Sequence, residues 1–171
     1  MTPRERRLKS DFEKLKAEFS GHPFVKVTYE INDEIVPEKY FVNYSGIKSV
    51  NSKKKDDEGK RTIEYIYEHN IEINLHYEYP KIKPQCFMLT GIFHPNIRLA
   101  HPHDICIGDY WAPGETIVDV IYQIGDMIQY LNYNVNNPLN GIAAKWAKEN
   151  SELLPIDKID LRQPEIDIEL K

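Results

Sequence analysis

The sequence is poor in cysteine, with only Cys86 and Cys106 among 171 residues. Two thiols are too few for a disulfide scaffold, so the fold has to rest on a packed core. Long apolar runs are also missing: nothing approaches the roughly 20 residues that would cross a bilayer as a helix. With no leader pattern at its start, the chain is expected in a reducing cytoplasm with both thiols free. Positive charge is not in excess. The net charge of -5 argues against sequence-independent binding to nucleic acid. There is no internal repeat and no low-complexity tract. What remains, 41% hydrophobic and 29% charged residues, describes a soluble globular chain long enough for one full core.

Periodicity divides the chain. Arg4 to Phe19 reads as an amphipathic helix, because Leu8, Phe12, Leu15 and Phe19 recur at helical spacing. Gly21, His22 and Pro23 end it. Phe24–Ile31 alternates close to strand period, and Tyr40–Val50 is a second candidate strand. Asn51–Lys60 suits an exposed hairpin loop. Arg61–Tyr79 is rich in β-formers, with a bend expected at His69-Asn70, and Gln85–Phe93 reads as a fourth strand. Thr116 can cap a helix with Asp119 as its reciprocal partner. Asparagine-rich residues 133–137 form a turn. Pro138 suits the first turn of a last helix presenting Leu139, Ile142, Ala143 and Trp146. A helix, a run of about four antiparallel strands, an irregular loop and two helices make an α+β domain. Its expected extent is residues 1–155, with a peripheral acidic tail over 156–171 that carries Asp157, Asp160, Glu165, Asp167 and Glu169.

The chemistry collects in the irregular stretch from Phe93 to Glu115. Cys106 lies there among proline and glycine rather than in a periodic segment. A thiol is nucleophilic through its thiolate fraction, and Ile105 and Ile107 could anchor the loop while the sulfur faces a groove. The plainer alternative is a small buried residue. Cys86 falls mid-strand and reads as core. Asn96, in His94-Pro95-Asn96, could donate to an oxyanion formed near Cys106, or could simply complete a turn. His101, His103 and Cys106 form a further cluster. It could hold a metal or supply a base for the thiol, but it lacks a second ligand pair or an orienting third group. No metal or cofactor is expected.

The stretch YPKIKPQCFMLTGIFHPNI, Tyr79 to Ile97, resembles the ubiquitin-conjugating enzymes. Ile105-Cys106-Ile107 is similar to that family's Ile-Cys-Leu, Trp111-Ala112-Pro113 to its Trp-Ser-Pro, and Asn137-Pro138-Leu139-Asn140 with Ala143-Ala144 to its Asp-Pro-Leu-Asn and Ala-Ala. The resemblance implies that family's α+β fold: an N-terminal helix, a four-stranded antiparallel meander, an active-site loop and two C-terminal helices. It implies that Cys106 takes over a ubiquitin-like protein from an activating enzyme as a thioester, then gives it to a lysine of a protein target, with or without a ligase. By the same resemblance, Asn96 stabilises the oxyanion or shapes the loop. Phe93 stands where the family often has tyrosine, and Asn137 where many members have an aspartate that orients or deprotonates the lysine. Arg6, Arg7, Lys9 and Lys14 on the first helix match the surface that meets the activating enzyme. The spacing from Asn96 to Cys106 is longer than usual for the family and that from Cys106 to Trp111 shorter. Asn137 cannot act as a carboxylate base, so Asp109 or Asp104 becomes the candidate. These departures imply a divergent member, of a bacterial or viral conjugation system. The rival reading is a non-catalytic relative of the same fold that scaffolds ubiquitin-like proteins.

Overall fold

The computed structural model describes residues 1–31, 36–155 and 158–164. Of the acidic residues assigned to the tail, Asp157, Glu165, Asp167 and Glu169 lie outside the described residues. Helix α1 spans Pro3–Phe19. Thr2 accepts from the Glu5 amide and Glu5 returns a bond to the Thr2 amide, a reciprocal cap that satisfies two otherwise unpaired N–H groups of the first turn. Leu8, Leu15 and Phe19 face the core, as their spacing predicts.

Four strands follow in sequence order as one antiparallel sheet: β1 (Val25–Tyr29), β2 (Lys39–Lys55), β3 (Arg61–Asn74) and β4 (Gln85–Met88). The inner face carries every second residue, with Val42 and Tyr44 on β2, Ile71 and Ile73 on β3, and Cys86 and Met88 on β4, all buried. The bend expected at His69-Asn70 sits instead in the partner strand. Ser45 pairs with Glu68 but Ser49 with Ile66, so β2 carries the extra residues opposite Tyr67. Gly46 takes φ +77° there, a conformation that suits glycine. His69 keeps the inward phase of β3 and lies fully buried. Its Nε2 is 2.6 Å from the Ile47 carbonyl, which can only accept, so Nε2 carries the proton. β4 is shorter than its apolar run suggested, because the chain turns away after Met88.

Helix α2 (Ile117–Ile128) covers the inner face of the sheet, and the expected Thr116–Asp119 capping box is present. The Tyr44 hydroxyl donates to the Ile121 carbonyl at 2.6 Å, tying sheet to helix inside the core. Helix α3 (Gly141–Glu149) begins later than predicted. Asn140 is its N-cap, accepting from the Ala143 amide at 3.0 Å, so Pro138 precedes the helix rather than opening it. Ala143, Ala144, Trp146 and Ala147 form the buried face, and Ile142 is exposed. Together with Val50, Phe93 and Tyr130, three of them (Ala143, Trp146 and Ala147) build a second, smaller core beside the main one.

The chain after Pro155 is not peripheral where it is described. Leu161 is fully buried, next to Gly125 of α2. A Cβ on Gly125 would stand 2.3 Å from Leu161 Cδ1, so glycine makes room for this contact. Gln129 exchanges two hydrogen bonds with the Ile159 backbone, the His22 ring meets the Leu161 carbonyl at 2.8 Å, and Arg162 pairs with Asp126 at 2.9 Å. Among the described residues, no helix is long and apolar enough to cross a membrane.

Candidate functional site

The loop that carries Cys106 is pinned on both sides of the thiol. Ile105 and Ile107 point into the core, and Cys106 between them is partly exposed. The Ile105 amide donates to the Cys86 carbonyl at 2.8 Å and the Cys106 amide to the Asn96 carbonyl at 2.9 Å. Gln123 Nε2, from α2, donates to the Ile107 carbonyl at 2.8 Å, and Lys83 Nζ to the Gly108 carbonyl at 2.6 Å. Gly108 turns the chain at φ +102°, and Trp111 Nε1 holds the exit through the Pro80 carbonyl at 2.8 Å. Four successive residues, 105–108, are thus fixed without any regular strand or helix. Cys86 differs in kind: it is buried on the sheet, and loss of hydration pushes its thiol up to about 12.

The His94-Pro95-Asn96 turn is buried and held by the segment that joins α2 to α3. The Tyr130 hydroxyl donates to the Phe93 carbonyl, and its ring lies 4.5 Å from that of His94. Tyr130 itself adopts φ +57°, an uncommon conformation for a large side chain, held by this buried packing. The amides of Leu139 and Asn140 both donate to the Pro95 carbonyl, at 2.9 and 3.0 Å. His94 Nδ1 accepts from the Asn96 amide at 3.0 Å. Burial lowers this imidazole to about 3, with a contact to the Met127 backbone offsetting part of the effect, so His94 is neutral.

Asn96 joins the turn to the loop. The Asn134 amide donates to Asn96 Oδ1 at 2.8 Å, and Asn96 Nδ2 points at the Cys106 carbonyl, 3.4 Å away. A peptide N–H cannot accept and a carbonyl cannot donate, so these partners fix which end of the amide is which. Asn134 in turn accepts the amides of Asn136 and Asn137 on its side-chain oxygen, at 2.9 and 3.1 Å. Asn137 is exposed on that turn. Asp109 is exposed just beyond Gly108, whereas Asp104 is engaged with Arg98 at 2.7 Å.

The four basic candidates of α1 separate. Arg6, Lys9 and Lys14 are exposed. Arg7 is not an open surface cation. It pairs with the buried Asp11 at 2.7 Å, donates to the Tyr79 hydroxyl at 3.1 Å, and also donates to the carbonyls of Pro113 and Glu115. Helical spacing places it at i−4 from Asp11, where the loop before α2 closes over it. A groove of about 790 Å³ runs along α1, with Leu8, Phe12 and Val36 on its walls and Lys9 and Lys16 beside them.

His101 and His103 are exposed, with rings 6.0 Å apart. His103 Nδ1 lies 3.2 Å from the Arg98 carbonyl. Among the described residues, no three His, Cys, Asp or Glu side chains come together in a way that could hold a metal ion. The sequence reading missed Asn134, Tyr130, Lys83 and Gln123. Only the asparagine-rich composition of residues 133–137 hinted at the first, since asparagine side chains fold turns by accepting nearby amides.

No curated protein sequence matches the chain. A family model described as ubiquitin-conjugating enzyme matches residues 62–155, more than half of the 171. That span runs from β3 through the His94-Pro95-Asn96 turn, the Cys106 loop and α2 to the end of α3, so the chain belongs to the ubiquitin-conjugating enzyme family.

Proposed function

We propose that this chain is an active conjugating enzyme that carries a ubiquitin-like protein as a thioester on Cys106. The observation that supports this best is the pinned loop, in which the partly exposed Cys106 is flanked by buried Ile105 and Ile107 and its carbonyl faces the amide of Asn96. In the loading step the Cys106 thiolate attacks the thioester carbonyl on an activating enzyme. A new carbon–sulfur bond forms, the old one breaks, and the departing thiolate takes up a proton. In the transfer step an amine of a protein target attacks the carbonyl held on Cys106. The carbon–nitrogen bond forms, the carbon–sulfur bond breaks, and the proton lost by the amine is returned to the Cys106 thiolate. Asn96 Nδ2 is the donor for the oxyanion of both steps. Asn137 orients the amine through its side-chain oxygen but cannot take its proton. Asp109, exposed beyond Gly108, is the carboxylate for that task, because Asp104 is held by Arg98.

Lys9, which lines the α1 groove, together with Arg6 and Lys14, exposed elsewhere on the same helix, forms the surface for the activating enzyme, and a ligase assists transfer where the target requires it. No cofactor takes part. A cytoplasm that keeps Cys106 reduced suits this chemistry. Residues 1–155 are the conjugating domain and residues 156–171 its acidic extension, docked at least through Leu161.

The test is a charging reaction with an activating enzyme, ATP and a ubiquitin-like protein from the same genomic neighbourhood. An adduct that dithiothreitol removes, that persists in Cys86→Ala and that is lost in Cys106→Ala is the expected result. A folded protein that never forms this adduct would instead be a binding module of the same fold.

A further inference from the structure

We propose that Asn134 is a positioning residue for amine transfer, setting the direction of the Asn96 amide and the shape of the turn that carries Asn137. The proposal rests on the carrier reading of Cys106. Three hydrogen bonds converge on this one asparagine. Its backbone N–H donates to Asn96 Oδ1, and its side-chain oxygen accepts the amides of Asn136 and Asn137. The two sets of bonds have different consequences.

The backbone bond decides polarity at the thiol. With Oδ1 occupied by the Asn134 N–H, the amide presents its Nδ2 hydrogens toward the Cys106 loop. If the amide rotated by half a turn, a carbonyl oxygen would face the developing oxyanion, and two partial negative charges would approach each other. A donor would be exchanged for a repulsive group. The Cys106 carbonyl alone holds the correct orientation weakly, because its contact with Nδ2 is long at 3.4 Å.

The side-chain bonds decide whether the backbone N–H stays where Asn96 needs it. By accepting the Asn136 and Asn137 amides, the side chain closes a local turn and fixes the backbone of residues 134–137. The same closure orients Asn137. Asn134 is itself exposed, so its side chain serves this turn rather than a core. The flanking anchors are stiff. Tyr130 is buried with its hydroxyl on Phe93, and Leu139 and Asn140 grip Pro95. Between these anchors, residues 134–137 have the Asn134 side chain as their internal brace.

The two steps of the reaction respond differently. Thiol exchange brings in a good leaving group and a strong nucleophile. Aminolysis has to stabilise more oxyanion and orient a neutral amine, so it depends more on Asn96 and Asn137. Loss of the brace should therefore slow transfer and spare loading.

The experiment loads Cys106 directly by thiol exchange with a fluorescent Gly-Gly-terminated peptide thioester of mercaptoethanesulfonate, then follows discharge onto free lysine. Asn134→Ala keeps the backbone N–H but removes the acceptor. It should load within about twofold of wild type and discharge about tenfold more slowly, a difference of about 1.4 kcal/mol at 25 °C. Asn134→Asp keeps an acceptor oxygen and should discharge within about twofold of wild type. In an Asn96→Ala background, Asn134→Ala should retain only the smaller share of its effect that acts through Asn137, because the main part acts through the missing amide. Wild-type discharge by Asn134→Ala overturns the proposal. So does equal slowing in Asn134→Ala and Asn134→Asp, or an undiminished tenfold effect in the Asn96→Ala background. Failure of the wild-type protein to load at Cys106 instead overturns the carrier reading beneath it.

Discussion

Acid should loosen the His94-Pro95-Asn96 turn, and the size of the effect follows from one side chain. His94 is fully buried, its Nδ1 accepts the Asn96 amide, and burial lowers it from 6.5 to about 3. A base with a depressed pKa binds a proton more readily in the unfolded chain than in the folded one. Its contribution is therefore complete above pH 6.5 and is lost as pH falls from 6.5 toward 3. At pH 5 the unfolded state is favoured by proton uptake at this residue by about 2 kcal/mol, a figure that barely changes for any folded-state value below about 4. Asn in place of His keeps an oxygen near the Nδ1 position that can accept the Asn96 amide, and does not titrate. Urea unfolding of wild type and His94→Asn should be compared at pH 7 and pH 5. The variant begins less stable because of lost packing, but its loss between the two pH values should be smaller than that of wild type by about 2 kcal/mol. Carboxylates common to both proteins cancel in this difference. Equal losses in the two proteins would refute a buried neutral His94.

Three further outcomes are expected. Arg7→Ala should lower stability by about 3 kcal/mol, because it leaves the Asp11 carboxylate buried with only the Tyr79 hydroxyl, while Lys14→Glu should change stability by less than about 0.5 kcal/mol; equal unfolding midpoints for the two would show that Arg7 is only a surface charge. Leu161→Ala should cost about 2–3 kcal/mol in denaturant unfolding, and a loss below about 0.5 kcal/mol would mean that residues 158–164 do not hold this site in solution. Iodoacetamide at pH 8 should label Cys106 alone in the native protein and both cysteines in denaturant, since burial pushes the Cys86 thiol up to about 12; intact mass showing two labels on the folded protein would contradict this.

The motifs, and the local order around them, could be read in the sequence because they follow from short-range physics. Helical spacing placed α1, Thr116 and Asp119 announced their capping box, and the order of the four strands was legible, although β2 runs on to Lys55 through residues whose polar composition reads as loop. The errors arose where a neighbour in space decides. The irregularity assigned to His69-Asn70 belongs to β2, because strand pairing, and not the pattern of β3, sets which strand holds the extra residues. Pro138 fits a helix start by its own chemistry, yet Asn140 caps α3, because the Leu139 and Asn140 amides are drawn to the Pro95 carbonyl. Arg7 looked like its basic neighbours until the loop before α2 brought carbonyls over it.

The sequence by itself determined the kind of domain and the family motifs, and singled out Cys106 as the candidate thiol among them. Each is carried by residue type and by order along the chain. Tertiary structure alone decided how the thiol is framed. Residues 86, 96, 107, 123 and 134 meet at or beside the Cys106 loop through hydrogen bonds that span from about ten to nearly forty positions of sequence. No local pattern encodes such a bond, because its partners are chosen by the packing of α2 on the sheet and of the 130–140 segment on the His94 turn. The same packing buried Leu161 in the notch at Gly125, a contact that acidic composition after Pro155 gave no reason to expect.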